Sequence, residues 1–214
     1  MPRINNQEKN ISLNNHFNIV DIILLDHSYL KDCIDIMKDK NEDKKIKIKH
    51  AKNFLDALKR HSAGEKKALY APLEEVKEFR AQILESEIEH AIVDSKVRTL
   101  LKKVSSMRTM NEDIEAEMKV LAEIVELHVV EEEKELLPKM RKYIDKTLLN
   151  EMGFQFLVIR QFSEKDLQYS PDLREEVSFI KSSSPIPSAK FLSKTHEYFS
   201  NQSSLLVEGR INAF

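Results

Sequence analysis

Apolar residues recur at steps of three and four along four stretches of this chain. Residues 18–39 carry Val20, Ile23, Leu24, His27, Leu30, Ile34 and Met37 in that rhythm. Residues 44–70 carry Ala51, Phe54, Leu55, Leu58, His61, Glu65 and Leu69. Residues 73–104 carry Val76, Phe79, Ile83, Glu87, His90, Val97, Leu101 and Val104, and residues 111–137 carry Ile114, Met118, Leu121, Val125, His128, Glu132 and Leu136. The step is that of one buried helix face, so four helices are predicted. Pro72 ends the second or starts the third, and Pro138 interrupts the fourth. Asn111, followed by Glu112 and Asp113, is placed to cap the fourth. Long helices joined by short links predict an all-α, up-down-up-down antiparallel four-helix bundle. No stretch has the strand period.

Outside these stretches the pattern weakens. Residues 1–16 are polar and rich in Asn, and read as a flexible N-terminal arm. Residues 139–162 read as helical, with Gly153 as a break, and complete a bundle domain over 17–162. Residues 163–214 read as a C-terminal extension of short helices (172–181 and 189–200) around the linker SSSPIPS at 182–188. The extension exceeds what a bundle needs, so a protein partner is expected to dock there if anywhere.

The stripes are informative where they are polar. His27 interrupts the first, His61 and Glu65 the second, His90 the third, and His128 and Glu132 the fourth. Burying a carboxylate is costly unless it is paired or binds metal, and no Lys or Arg shares the stripes near these positions. A pair of divalent cations meets the demand. His61 with Glu65, and His128 with Glu132, put an imidazole and a carboxylate one turn apart on one face. Each carboxylate can bridge two metals while the imidazoles take terminal positions. Imidazole and carboxylate without thiolate suit iron, manganese or zinc and argue against an iron–sulfur cluster. Six protein ligands on two metals leave positions for water, an oxo or hydroxo bridge, dioxygen, nitric oxide or peroxide.

Neighbouring residues refine this set. Glu87, three before His90, is a candidate seventh ligand or an outer acceptor. Glu133 competes with Glu132, which the stripe register favours. Asp94, one turn after His90, reads as an outer partner of the site or a polar contact lower in the bundle, and Tyr29 and Tyr70 as pocket lining or packing. His50 lies about 16 Å along the axis from His61, too far to share a site. His16 and His196 sit in polar surroundings, and Cys33 reads as a small core residue.

Composition then excludes some classes. The 214 residues carry a formal net charge of −2, so no basic field draws the chain to nucleic acid. The Lys-rich stretch Lys38 to Lys49 reads as a solvated helix start. The single cysteine excludes an intrachain disulfide. The polar N-terminus lacks a signal-peptide run and no stretch suits a membrane span, so the cytosol is the expected location.

The segments LLDHSYL, HSAGEKKALYAPL, EIEHAIV and HVVEEEKELLP, in order over residues 18–160, resemble the hemerythrin-like (HHE cation-binding) family. The resemblance implies a di-iron bundle on His27, His61, Glu65, His90, His128 and Glu132. The oxygen-carrying members use five histidines and two carboxylates, with two histidines one turn apart in the third helix. Ser86 stands where the second of those would be, which argues against reversible oxygen carriage. The four-His, two-Glu set is more similar to the bacterial di-iron proteins of iron–sulfur repair under oxidative or nitrosative stress. The cysteine-bearing N-terminal domain of those proteins is missing from this sequence. The expected function is a di-iron protein that binds or senses dioxygen, nitric oxide or peroxide, in stress response or iron handling. The alternatives are a di-iron peroxidase, oxidase or nitric-oxide-consuming enzyme, and an interaction protein with a structural metal.

Overall fold

A computed structural model describes residues 18–160. The N-terminal arm, the C-terminal extension, His16 and His196 lie outside the described residues.

Four long helices form the frame. α1 (Ile19–Lys38) is opened by Asn18, whose side chain accepts from the Val20 N–H at 3.0 Å. α2 (Lys44–Glu65) is opened by Asp43, which accepts from the Lys45 N–H at 2.7 Å. α3 (Arg80–Val104) follows, and α4 (Glu112–Glu131) is opened by Asn111, which accepts from the Ile114 N–H at 2.9 Å. Each cap satisfies an amide that the helix cannot. α1 packs on α2, α2 on α3, α3 on α4 and α4 back on α1, which closes the ring of an all-α bundle. The described residues contain no strand and no helix long and apolar enough to cross a membrane.

Two helices run on through π turns. α2 continues through Lys66–Tyr70 into the short turn Ala71–Leu73, and α4 through Glu132–Leu136 into Leu137–Tyr143. The wide turns are closed by the Ala71 N–H to Lys66 O and the Leu137 N–H to Glu132 O. Pro138 therefore does not interrupt the fourth helix. It sits in the first turn after the π segment, where a missing N–H is tolerated. The third helix starts at Arg80, not near residue 73, because residues 74–79 turn the chain and bury Phe79.

α5 (Lys146–Arg160) lies across α1 and α2 at one end of the bundle. It passes through Gly153 unbroken, since Gly153 is a buried helical position. The chain turns at Ile144 and Asp145, and Asp145 accepts from the Leu148 N–H at 3.0 Å. Among the lysines of 38–49, Lys47 departs from a solvated start. It is buried, with its ammonium 2.6 Å from Glu115.

The interior has three levels. One apolar cluster, with Ile23, Leu69, Leu73, Phe79, Ile83, Met140 and Phe156, fills the end that α5 covers. A second, with Leu30, Ile34, Phe54, Leu55, Val97, Leu121 and Val125, fills the other end and holds buried Cys33. Between them lies a layer of buried polar side chains.

Candidate metal centre

The polar layer is built by all four helices at one height. His27 follows Ile23 by one turn on α1, and His61 and Glu65 close the buried face of α2. His90 lies on the buried face of α3, and His128 on that of α4 is followed by Glu132 at the head of the π turn. All six are at most 6% exposed, so the demand for a counter-charge is real.

Their imidazole Nε2 atoms and carboxylate oxygens meet in two groups. In the first, His61 Nε2 is 3.1 Å and His27 Nε2 is 4.0 Å from Glu65 Oε1, and Glu132 Oε2 is 3.4 Å from His27 Nε2. In the second, His90 Nε2 is 3.0 Å from His128 Nε2 and 3.3 Å from Glu65 Oε2. Glu132 Oε1 is 3.7 Å from His128 Nε2. Glu65 and Glu132 thus each present one oxygen to each group. His27, His61 and Glu65, and separately Glu65, His90 and His128, have donor atoms within 4.8 Å of one another, close enough to hold a cation.

The donor set fits a metal on a second ground. His27 Nε2, His61 Nε2, both oxygens of Glu65 and Glu132 Oε2 are fully buried and make no well-directed hydrogen bond, only the close ring–carboxylate contacts given above. Such groups are rare and costly, and these converge on one centre.

Three outer carboxylates orient the rings, each reaching from another helix. Asp26 Oδ2 is 3.2 Å from His61 Nδ1, Glu89 Oε2 is 2.7 Å from His128 Nδ1, and Glu133 Oε1 is 3.2 Å from His27 Nδ1. An Nδ1–H donating outward leaves the Nε2 lone pair facing the centre. The outer carboxylates are themselves held, Asp26 by Arg160 and Glu133 by Lys31 at 2.7 Å. Tyr70, fully buried, donates to Glu132 Oε1 at 2.7 Å, with its hydroxyl 3.0 Å from His90 Nε2.

Charge follows this wiring. Burial opposes a charged His61, but Glu65 and Asp26 outweigh it and raise the ring to about 10. Burial and the neighbouring His128 push His90 down to about 2. Burial and the close Glu132 raise Glu65, whereas His27 and His128 hold Glu132 low despite its burial. The bond from His27 and the Lys31 ammonium hold Glu133 down at about 2.

Glu87 is not among the residues brought together. The buried positions of α3 run Ile83, Ser86, His90, and Glu87 is half-buried one residue off that face. Glu133 lies outside the centre as the acceptor of His27, and Asp94 is an outer partner of Lys66. Tyr29 lines a small recess beside Asp26 and His61. Sequence reasoning missed Asp26 and Glu89. Their one signal is adjacency, since each immediately precedes a histidine of the layer.

A cavity of about 240 Å³ enters between α3 and α4 and reaches His128 and Glu132. Its walls carry Glu85, Ser86, Glu89, Glu131 and Glu135.

Among known proteins, the family model described as Hemerythrin HHE cation binding domain matches residues 18–140. No curated protein and no solved structure matches the chain.

Proposed function

The chain belongs to the hemerythrin HHE cation binding domain family, and from that membership and the donor geometry we propose that it is a di-iron protein that binds or senses a small oxidant. In this reading His27 and His61 would hold one iron, His90 and His128 the other, and Glu65 and Glu132, which present an oxygen to each group, would serve both. Manganese or zinc suits the same donors, and positions that the six residues leave open would be taken by water or a water-derived bridge. The observation that carries the proposal is the convergence of buried, hydrogen-bond-deprived Nε2 and carboxylate oxygen atoms in one layer.

The chain's own residues set the conditions for binding. Asp26, Glu89 and Glu133 fix three rings through Nδ1 and keep Nε2 toward the centre. The apolar clusters on either side exclude bulk water, which strengthens every charge interaction in the layer. The iron pair would supply redox chemistry and open positions for dioxygen, nitric oxide or peroxide. The cavity that reaches His128 and Glu132 favours such a ligand over a purely structural metal, because a structural site needs no access route.

Iron loading followed by elemental analysis and absorption spectroscopy tests the reading. Two irons per chain are expected, with a charge-transfer spectrum that changes on adding dioxygen, nitric oxide or peroxide. A protein that keeps no iron refutes it, and a spectrum indifferent to all three ligands refutes the sensing role. Turnover of peroxide or nitric oxide under reducing conditions would move the function to an enzyme.

A further inference from the structure

Tyr70 lies in the π turn that follows Glu65, five residues on, with its ring fully buried. An ordinary buried tyrosine satisfies its hydroxyl with one acceptor, and Glu132 Oε1 at 2.7 Å supplies that. The hydroxyl does more. It also stands 3.0 Å from His90 Nε2, the atom that the second group of donors turns toward the centre.

Spacing shows whether a hydrogen-bonded neighbour could also serve as a ligand. Donor atoms that share a six-coordinate ion at about 2.1 Å stand about 3.0 Å apart along each edge. His90 Nε2 to His128 Nε2 is 3.0 Å and His90 Nε2 to Glu65 Oε2 is 3.3 Å. The two distances from the Tyr70 oxygen fall on the same scale. α3 brings no competing donor to this side, because its buried position one turn before His90 is Ser86. The short Ser86 side chain leaves room for the Tyr70 hydroxyl, whose proton burial and the nearby Glu132 and Glu65 hold in the metal-free protein.

We propose that Tyr70 is a fifth protein ligand at the His90/His128 position, bound through its phenolate oxygen, an inference that rests on the di-metal reading above. The oxygen–metal bond forms as the phenol O–H bond breaks. The proton is released to solvent, and no electron changes hands. The two metal positions are then chemically unequal, one served by two imidazoles and two bridging oxygens, the other by a phenolate as well.

The test uses the full chain, loaded with ferrous iron to two per chain and then oxidised. A visible phenolate-to-ferric charge-transfer band is expected, and resonance Raman excited within it should show tyrosine ring modes. Tyr70→Phe should bind the same iron and lose both signals, while Tyr143→Phe, at an exposed position, should keep them. Wild-type protein that holds two irons without phenolate ring modes overturns the Tyr70 assignment and leaves the di-iron reading standing. Protein that holds no iron overturns both. If Tyr70→Phe fails to fold, the wild-type Raman spectrum still decides.

Discussion

Glu65 and Glu132 differ from every other residue of the layer in facing both groups of donors. Glu65→Ala should therefore abolish binding of both metals, whereas His50→Ala, remote from the layer, should leave metal content unchanged. Equal metal content in the two variants would contradict the assignment. Asp26→Asn keeps the shape but weakens the hold on His61, and a roughly ten- to hundredfold loss of metal affinity is expected, measured by competition with a chelator. The raised pKa of His61 sets a pH dependence. In the metal-free protein its charge pairing stabilises the fold fully below about pH 6.5 and is lost as pH rises toward 10. A metal on Nε2 must expel that proton, so affinity should climb about tenfold per pH unit for each proton released. Affinity that is flat between about pH 6 and about pH 8 would show that metal displaces no proton from His61 over that range. The six candidates were legible because each interrupts an apolar stripe at helical spacing. Asp26 and Glu89 were not, and Glu133 stood only as a rival of Glu132, because each serves a histidine on another helix, and that depends on how the helices are rotated together. Glu87 was misplaced by taking a step of four from Ile83, where the helix buries Ser86 at a step of three.

At the level of elements, the π turns explain where the sequence pattern misled. Ala68, Leu69 and Tyr70 are all buried in the first, and Leu136 is buried in the second with Leu137 directly after it. The extra residue in each wide turn rotates the chain so that a carboxylate and the apolar residues after it both face inward. Nothing in a period of three and four announces this, so Pro138 looked like an end. The packing of α5 was equally hidden, since it depends on the absence of a side chain at Gly64. A Cβ there would lie 2.7 Å from the ring of Phe156, which is itself fully buried and stands edge-on to His61 at 5.9 Å. Gly64→Ala should cost about 1–3 kcal/mol by overpacking, read as a lowered midpoint in denaturant. Retention of wild-type stability would show that α5 docks less tightly than this contact implies.

For the whole molecule, a layer of buried polar groups lies between two apolar clusters. The fold without metal carries the cost of that layer, and a cation that binds only the folded state returns it as stability. Free metal at a hundred times its Kd should stabilise by about 2.7 kcal/mol per site, seen as a rise in Tm that a chelator reverses. A Tm unaffected by metal would mean that the layer is satisfied without it. The bundle itself was readable because four long amphipathic helices with short links admit few arrangements. The fifth helix could be expected as a helix, but not where it would lie.

The cavity between α3 and α4 also carries a charge that would select what reaches the polar layer. Its mouth is crowded with carboxylates, enough that burial and the nearby Glu89 and Glu85 raise the pKa of Glu131. A negative lip concentrates cations and repels anions, and salt weakens both effects. Ferrous iron should load more slowly as ionic strength rises, while the uncharged gases dioxygen and nitric oxide should react at rates indifferent to salt. Stopped-flow mixing at low and high salt separates the two, and an iron-loading rate that salt leaves unchanged would show that metal enters elsewhere. Superoxide and nitrite, both anions, would meet a barrier at the same lip, so the shape and charge of one opening would decide which small molecules reach the layer.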